Sequence, residues 1–474
     1  MEEKVINNKK NGENRCPNCQ ASDVTLDIEK GKLRCNYCGT EFEPKQVEGK
    51  TKEAKDVVGL KQGSGTTNIK EGNDVVTLKC GGCGAEVVIN TKETQNARCH
   101  WCRSILSINS QIENGSIPDE VLPFKLTKEE AKKNIENFVS ERKFYAHPKF
   151  LEEFTTDNIM GVYFPYFIID CNAHAKFSGE GGHVARTYTI TTGSGDDEKS
   201  ETVYDIDIHN VVRDFDIAID DLSIESSKDK LDKNSKDKTT NVINAIMPFD
   251  TENCVKYEAN YLVGFTSERR DVNTYTVDKK IDQSLLDIAR YAINTDLKYY
   301  DSGVRWENEE LNIKGKQIVS AYLPVWLYSY QDNKNVLHYV AVNARTGETM
   351  GSVPMNKTKL AIIATLIDLI VLAIVVLIIF LTNKSSFLVL FINLLIGPIY
   401  YSVKGSKYRN KGARHKYELE TKSTITSLKR TDDKVRTETE QSFSTLSGAN
   451  NTRIVGEYTN YRVELEDGGN IKEL

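Results

Sequence analysis

The feature that most constrains this chain is a repeated cysteine pattern. Eight of its ten cysteines form two copies of the spacing CxxC, fifteen residues, CxxC. The first copy is Cys16, Cys19, Cys35 and Cys38, and the second copy is Cys80, Cys83, Cys99 and Cys102. Each CxxC turn directs two thiolates toward a single ion, and a second turn on a hairpin completes a tetrahedron. The pattern therefore predicts two zinc ribbons, ribbon 1 (residues 1–43) and ribbon 2 (residues 74–110), each holding one Zn²⁺.

The residues between the cysteine pairs favour a metal over the alternatives, which are disulfides or chance. Val24 to Ile28 alternates apolar and polar residues, and after a turn the chain returns to Cys35. Glu86 to Asn90 opens the equivalent hairpin of ribbon 2. Four thiolates leave no open coordination position for water, so both ions are expected to be structural. Each ribbon is too short to bury a core, so the metal must supply most of its folding free energy.

The residue that follows each CxxC turn differs among the four turns. Gly39 and Gly84 follow two of them, where a glycine readily adopts a positive φ. Gln20 and Arg103 fill the same place in the other two, so we expect those turns to be less regular.

The last CxxC turn contains two residues of interest. We expect His100 to be exposed, because four cysteines already complete the metal shell. Trp101 is a candidate contact for a partner protein, since exposed aromatic side chains anchor interfaces. The alternative is that Trp101 packs beneath its own ribbon. The two remaining cysteines, Cys171 and Cys254, are expected to be inert core thiols.

Two apolar segments near the C-terminus predict a transmembrane helical hairpin. Residues 360–381 contain one charged residue, Asp368, and 17 of these 22 residues are Leu, Ile, Val or Phe. At about −0.3 to −0.6 kcal/mol each, these residues outweigh the roughly +3 kcal/mol of a central Asp. A second run, residues 387–403, follows a short loop, and its 17 residues span roughly 25 Å as a helix. The alternative is a buried hairpin in the core of a soluble protein.

The cations around these segments predict the orientation. The first segment is preceded by Lys357 and Lys359, six cations follow the second segment, and only Lys384 lies in the loop. The positive-inside rule then places both termini in the cytoplasm of a protein that spans the cell membrane twice. The N-terminus has no secretory signal, and thiolate metal sites agree with a reducing compartment.

Two polar residues lie at membrane depth in the predicted hairpin. Asp368 lies eight residues and Asn393 ten residues from the cytoplasmic ends, or roughly 12 and 15 Å at about 1.5 Å per residue. We expect them to pair across the hairpin. A proton or ion path is the alternative, but it would normally require more than one ionisable group.

The rest of the chain predicts an α+β fold with a mostly antiparallel sheet. Residues 44–73 are polar and contain Gly63-Ser64-Gly65, so they are interpreted as a flexible linker. Residues 115–355 are rich in Tyr, Phe, Val and Ile and are expected to form one cytoplasmic α+β domain. Helical spacing is found in two segments: Leu126–Val139, which starts with a capping box, and Asp278–Ile293. The predicted strands are Val162–Ile169, Val203–Val212, Val255–Phe265, Val319–Tyr330 and Leu337–Val342. Residues 404–474 form a basic juxtamembrane segment and a polar tail.

A weak internal repeat is visible within residues 115–355. Leu122-Pro123-Phe124 and Met247-Pro248-Phe249 each precede a helix, and each helix precedes a strand that contains Tyr-x-Pro. The pattern suggests a duplicated unit, with chance similarity as the alternative.

No catalytic motif is found. The histidines outside the ribbons show no HExxH motif, and the glycine-rich segments lack the features of a P-loop or a dinucleotide-binding turn. Neither an enzymatic activity nor a small-molecule substrate is therefore expected, although an enzyme within residues 115–355 is a third alternative. The net charge of −6, and nine basic against nine acidic residues in the first 50, argue against a nucleic-acid-binding face.

Taken together, these features resemble bacterial membrane-anchored proteins that carry transcription-factor-IIB-type zinc ribbons. The resemblance rests on CPNC…CNYC at the start, VLPFKLTKEEA from Val121, GVYFPYF from Gly161, YLPVWLYSY from Tyr322, VNARTGETMG from Val342, and the two-span ending. It covers most of the chain up to residue 403, and this chain departs from it by having two ribbons and a long tail. Some such proteins are similar to envelope-stress components that recruit phage-shock-like proteins to the membrane.

These observations predict a non-enzymatic adaptor with two structural zinc ions. The bilayer and proteins at the membrane are its expected partners. The alternative is a membrane-tethered nucleic-acid-binding protein associated with transcription or replication.

Overall fold

The computed structural model describes residues 3–6, 15–21, 23–67, 75–90, 97–107, 111–112, 117–192, 199–227, 246–294, 297–331, 337–351, 353–382, 395–410, 425–429, 435–448, 451–458, 462–466 and 470–473. Its strands are β1 (Glu3–Ile6), β2 (Val24–Asp27), β3 (Lys32–Cys35), β4 (Glu41–Phe42), β5 (Gly59–Gly63), β6 (Val75–Lys79), β7 (Glu86–Asn90), β8 (Gln111–Ile112), β9 (Glu120–Val121), β10 (Met160–Thr192), β11 (Lys199–Glu225), β12 (Val255–Lys256), β13 (Thr266–Glu268), β14 (Gly303–Gln331), β15 (Leu337–Asn343), β16 (Thr349–Gly351), β17 (Ile425–Lys429), β18 (Val435–Gly448), β19 (Asn451–Tyr458), β20 (Arg462–Glu466) and β21 (Asn470–Glu473). Its helices are α1 (Ser64–Thr67), α2 (Lys128–Ser140), α3 (Pro148–Glu153), α4 (Thr274–Asn294), α5 (Lys357–Thr382) and α6 (Ile396–Asn410).

Three long strands form the centre of a curled, mostly antiparallel sheet. The 33-residue strand β10 pairs antiparallel with β11 on one side and with β14 on the other. One face of β10 buries every second side chain against α4. The members of this stripe are Phe167, Ile169, Cys171, Ala173, Ala175 and Phe177. The predicted α+β class and its antiparallel sheet are therefore confirmed.

Both predicted helices are present. The capping box at the start of α2 is formed, because the Thr127 side chain accepts the Glu130 N–H while the Glu130 carboxylate binds the Thr127 backbone. The predicted strand Val255–Phe265 is wrong. Only β12 is extended there, and a 3₁₀ turn follows at Ala259–Leu262 before Gly264 takes a φ of +81°.

The two Tyr-x-Pro motifs lie directly opposite each other. Tyr163 pairs with Pro324, and Pro165 pairs with Tyr322. The surrounding elements follow the same approximate two-fold arrangement, since β9 runs parallel to β14 and β13 runs parallel to β10. Helix α2 begins eight residues after the start of β9 (120 to 128), and α4 begins eight residues after the start of β13 (266 to 274). The two Tyr-x-Pro strands therefore have equivalent neighbours, while Leu122-Pro123-Phe124 and Met247-Pro248-Phe249 lie at different places relative to β9 and β13. The duplicated unit stays a prediction.

Residues 44–67 are ordered, so the predicted flexible linker is wrong for this part; residues 68–73 lie outside the described residues. Strand β5 runs parallel to β14, and the Lys50 ammonium lies 3.0 Å from the Glu120 carboxylate. A Cβ at Gly63 would overlap the Asp119 carboxylate, and one at Gly65 would overlap the Ile117 carbonyl. These glycines therefore permit close packing against the sheet, whereas the sequence pattern had suggested flexibility.

The two ribbons attach to the body of the fold differently. Ribbon 1 has its own three-stranded sheet, β2–β3–β4. Its Val24 and Leu33 belong to the central core, and Asn260 Nδ2 donates to the Val24 carbonyl at 3.1 Å. Ribbon 2 is part of the main sheet, because β7 pairs with both β6 and β13. Its Val87, Val88 and Ile89 are buried in the central core.

Helix α5 contains the predicted span 360–381. Helix α6 contains residues 396–403 of the second predicted span, 387–403. Residues 387–394 lie outside the described residues. The two helices run antiparallel, since Gly397 meets Asp368 and Gly405 meets Leu360. Pro398 lies in the first turn of α6. There its missing N–H leaves no helical hydrogen bond unmade.

Candidate metal centres

The four CxxC turns have the same backbone hydrogen bonding. In each turn the N–H of the first cysteine donates to the carbonyl five residues later, and the N–H four residues later donates back to the carbonyl of that cysteine. All eight distances are 2.8–2.9 Å. The residue pairs joined by the first type of bond are Cys16 and Ala21, Cys35 and Thr40, Cys80 and Ala85, and Cys99 and Ser104. The local sequence thus builds four equivalent turns.

Each turn ends on a residue with a left-handed backbone. The φ angles are +60° at Gln20, +73° at Gly39, +80° at Gly84 and +63° at Arg103. The expectation that the Gln20 and Arg103 turns are less regular is therefore wrong. The hydrogen bonding of the turn imposes the left-handed conformation whichever residue is present, at a steric cost where that residue has a Cβ.

The sulfur atoms of each quartet converge. The distance from the first to the last cysteine sulfur is 3.5 Å in ribbon 1 and 3.4 Å in ribbon 2, and the two middle sulfurs are 3.6 Å apart in both. Four Zn–S bonds of about 2.3 Å place sulfurs roughly 3.8 Å apart, so each quartet fits one tetrahedral ion. A disulfide requires about 2.05 Å, and all ten cysteines are free. Two Cys₄ clusters that fit zinc ribbons are therefore present.

The hydroxyl residue two positions after the last cysteine of each ribbon stabilises a thiolate. Hydrogen bonds from the Thr40 side chain and backbone lower the pKa of Cys38 to about 6. In ribbon 2 burial alone would raise the pKa of Cys102, but hydrogen bonding with the side chain and backbone of Ser104 brings that pKa down to about 7. The donor set is thus suited to a soft cation that binds thiolate.

His100 and Trp101 are buried, so the prediction that His100 is exposed is wrong and Trp101 is not an exposed partner contact. Both side chains reach the Glu268 carboxylate: His100 Nε2 lies 3.1 Å from Oε1, and Trp101 Nε1 donates to the same oxygen. The Trp101 ring also makes edge contacts with Phe164 and Tyr339 at centroid distances of 5.9 and 5.2 Å. Trp101 therefore packs ribbon 2 against the body.

The equivalent aromatic residue of ribbon 1 is exposed. Tyr37 occupies the same place in Cys35–Cys38 that Trp101 occupies in Cys99–Cys102, yet 82% of Tyr37 is accessible against 5% of Trp101. Tyr37 was not among the candidate contacts predicted from the sequence. The alignment of CNYC with CHWC was the available signal.

Cys171 and Cys254 are both buried, and burial raises the pKa of Cys171 to about 12 and that of Cys254 well above its usual range. Neither thiol is close to a Cys₄ cluster. They have the properties of unreactive core residues, as predicted.

The predicted pairing of Asp368 with Asn393 stays a prediction, because Asn393 lies outside the described residues. The Asp368 Oδ1 atom accepts a hydrogen bond from the Gly397 N–H at 2.6 Å. The carboxylate therefore lies at the N-terminal end of α6, where it is favoured by the helix dipole.

Comparison with known proteins gives a relative whose name states no function. The chain is 25% identical over 351 residues to "Uncharacterized protein YdjG" of Bacillus subtilis (strain 168), a match covering 73% of this chain and 91% of that protein. No family model and no solved structure match the chain. Membership of the transcription-factor-IIB-type ribbon family is therefore still a resemblance.

Proposed function

We propose that this chain is an integral membrane protein with two structural zinc ions, and that it acts as a cytoplasm-facing adaptor that recruits protein partners. The observation that supports it most is a direct junction between two parts of the molecule. The body that carries both Cys₄ clusters is joined by several short hydrogen bonds to the base of an exposed apolar helix.

Helix α5 has the properties of a membrane span. Its stretch Lys357–Leu377 is long and apolar enough to cross a bilayer, and only 11% of the most apolar window is buried. A core helix of a soluble protein would bury these side chains. Large exposed apolar residues on α5 are Ile362, Leu366, Leu369, Ile370, Leu372, Ile374, Val376, Leu377 and Leu381. A bilayer is the environment in which such a surface is stable.

The loop between α2 and α3 joins the body to this helix. The Asn356 N–H donates to the Tyr145 carbonyl at 2.8 Å, and the His147 N–H donates to the Pro354 carbonyl at 2.7 Å. The Tyr145 hydroxyl also lies 2.7 Å from the Tyr400 hydroxyl on α6. These contacts would hold the body at a fixed height above the bilayer.

The same loop carries a side chain suited to the membrane interface. Phe144 is 60% exposed, and the Lys359 ammonium lies 4.2 Å from the centre of its ring while it donates to the Phe144 carbonyl at 2.7 Å. An exposed aromatic ring beside a lysine at the first turn of a span is typical of the headgroup region.

The second span and the orientation are part of the proposal. Helix α6 runs antiparallel to α5, which supports a hairpin of 360–381 and 387–403. The cations after the second segment are Lys404, Lys407, Arg409, Lys411, Arg414 and Lys416, and they favour cytoplasmic termini.

The adaptor role rests on what the ribbons can do chemically. A Cys₄ shell leaves no position for a substrate or a water, so neither metal is suited to catalysis. Tyr37 presents an exposed ring on a rigid metal-held turn, which suits a protein interface. The resemblance to envelope-stress components is consistent with this role.

Cysteine labelling in intact cells tests the membrane part of the proposal. A membrane-impermeant maleimide should label Ser385→Cys in the loop directly. The matched variant Ser447→Cys in the tail should react only after permeabilisation. Labelling of position 447 in intact cells would contradict the proposed orientation.

Co-purification from detergent-solubilised membranes tests the adaptor part. The full chain should retain a stoichiometric protein partner, and Tyr37→Ser should lose it with both metals still bound. DNA binding that weakens steeply with salt, without a protein partner, would favour the nucleic-acid-binding alternative.

A further inference from the structure

A cleft lies between ribbon 2 and the body of the fold. Its volume is about 540 Å³, within the range of small-ligand sites. Ala97 and Arg103 of ribbon 2 line one side, and Met160 and Phe265 line another. The cleft therefore combines an apolar wall with groups from a metal-held turn.

The charges that line the cleft are mostly positive. Among the described residues that line it, Arg98, Arg103 and Lys128 are cations and Asp157 is the single acid. The Lys128 ammonium contacts the Asp157 backbone carbonyl at 3.4 Å, while the Asp157 carboxylate is 4.0 Å from Lys132 and its side chain is 88% exposed. The one acid therefore does not neutralise the cations of the cleft.

The Arg103 side chain is partly buried and lies beside Tyr328. Its Nε and Nη2 atoms are inaccessible and have no hydrogen-bond partner among the described residues. One face of the group lies over the Tyr328 ring at 4.8 Å. These two nitrogens are closed off from the cleft, but arginine keeps its charge when partly buried, so Arg103 still adds positive charge to the wall of the cleft.

We propose that this cleft binds a small organic anion, a carboxylate or a phosphate ester on a short apolar body. Arg103 supplies positive charge on the wall of the cleft, and Arg98 and Lys128 add attraction at the rim. The apolar body lies against Met160 and Phe265. The site goes beyond the adaptor role and does not depend on membrane insertion.

Fluorine NMR on the full chain in nanodiscs tests this site, with empty nanodiscs as the blank. The probes are 4-fluorophenyl phosphate, 4-fluorophenylacetate and neutral 4-fluorobenzyl alcohol. We expect at least one anion to bind tenfold or more tightly than the alcohol, and the stronger anion identifies the preferred head group. Equal binding of all three, or no binding at millimolar concentration, would overturn the proposal.

Variants assign the binding to the cleft. Arg103→Gln should weaken binding of the anion about tenfold or more, whereas Arg186→Gln, on the exposed part of β10, should leave it unchanged. Metal content is measured on each variant as a check of folding. If Arg103→Gln loses its metal, Arg98→Gln at the rim and Met160→Trp, which fills the cleft, replace it. Unchanged anion affinity in folded variants of the cleft would refute the assignment.

Discussion

The two ribbons share a metal-binding geometry but differ in what surrounds it. Sulfur distances, turn hydrogen bonds and left-handed residues agree between them. The aromatic residue of the last turn, however, is 82% exposed at Tyr37 and 5% exposed at Trp101. The cysteine spacing therefore determines the metal site, while contacts elsewhere in the chain determine whether the aromatic residue of the last turn is buried or available to a partner.

The largest effect is expected when one metal is removed at a time. Cys80→Ser should lower the metal content from two to one and destabilise the body on the order of 5 kcal/mol or more, because β7 is part of the main sheet. The matched Cys16→Ser should also lose one metal but leave the body folded. Elemental analysis and circular dichroism of the two variants decide the point. Equal unfolding of both would show that the ribbons are not different.

The aromatic pair gives the next largest effect. Trp101→Ala should cost about 3–5 kcal/mol, because it removes a buried ring and leaves Glu268 without one of its donors. Tyr37→Ala should change the free energy of unfolding by less than about 0.5 kcal/mol. Urea denaturation measures both values. Similar losses would mean that Tyr37 also packs against the body.

A change in pH should act oppositely on the body and on the ribbons. Burial, together with the neighbouring Asp221 and Asp170, raises the pKa of Asp220 to about 7. The folded state then binds more protons than the unfolded state between about pH 4 and 7, so the stability of the body increases as the pH falls. Asp220 supplies about 1 kcal/mol of the gain from pH 8 to 6, while acid weakens the thiolate sites. Chemical denaturation should show this gain, and Asp220→Asn should reduce it by about 1 kcal/mol. The part that remains comes from Glu258 and Asp221, because burial raises their pKa values to about 7 and about 6. A gain of the same size in Asp220→Asn would exclude this carboxylate as a source.

The smallest effect concerns the strained turn residues. Gln20→Gly should stabilise ribbon 1 by up to about 1 kcal/mol, because glycine adopts the left-handed conformation freely. Release of the metal to a chelator should become slower. Arg103→Gly should bring no such gain, since it also removes the contact with Tyr328. Faster release from Gln20→Gly would contradict this interpretation.

The sequence predicted best those features that depend on neighbouring residues. The cysteine quartets, the capping box at Thr127 and the helix Asp278–Ile293 all depend on spacing within a few turns of chain. It did not predict the burial of His100 and Trp101, whose shared partner Glu268 is 168 and 167 residues away. Such contacts have no local signature.

The glycines of residues 44–67 show the same limit. Gly63 and Gly65 favour flexibility when only their neighbours are considered, because glycine has few steric restrictions. In the folded chain they are required by the close approach of Asp119 and Ile117. Sequence alone does not distinguish a mobile glycine from one that lies against another segment.

Site-specific photo-cross-linking in intact cells tests the central claim most directly. A photoreactive amino acid is placed at position 37 in one variant of the full chain and at position 101 in another. We predict a discrete protein adduct from position 37 that disappears when ribbon 1 is demetallated by Cys16→Ser, and no intermolecular adduct from position 101. Adducts to nucleic acid from position 37, or protein adducts from position 101 alone, would contradict the proposal that ribbon 1 is the docking face of a membrane-held adaptor.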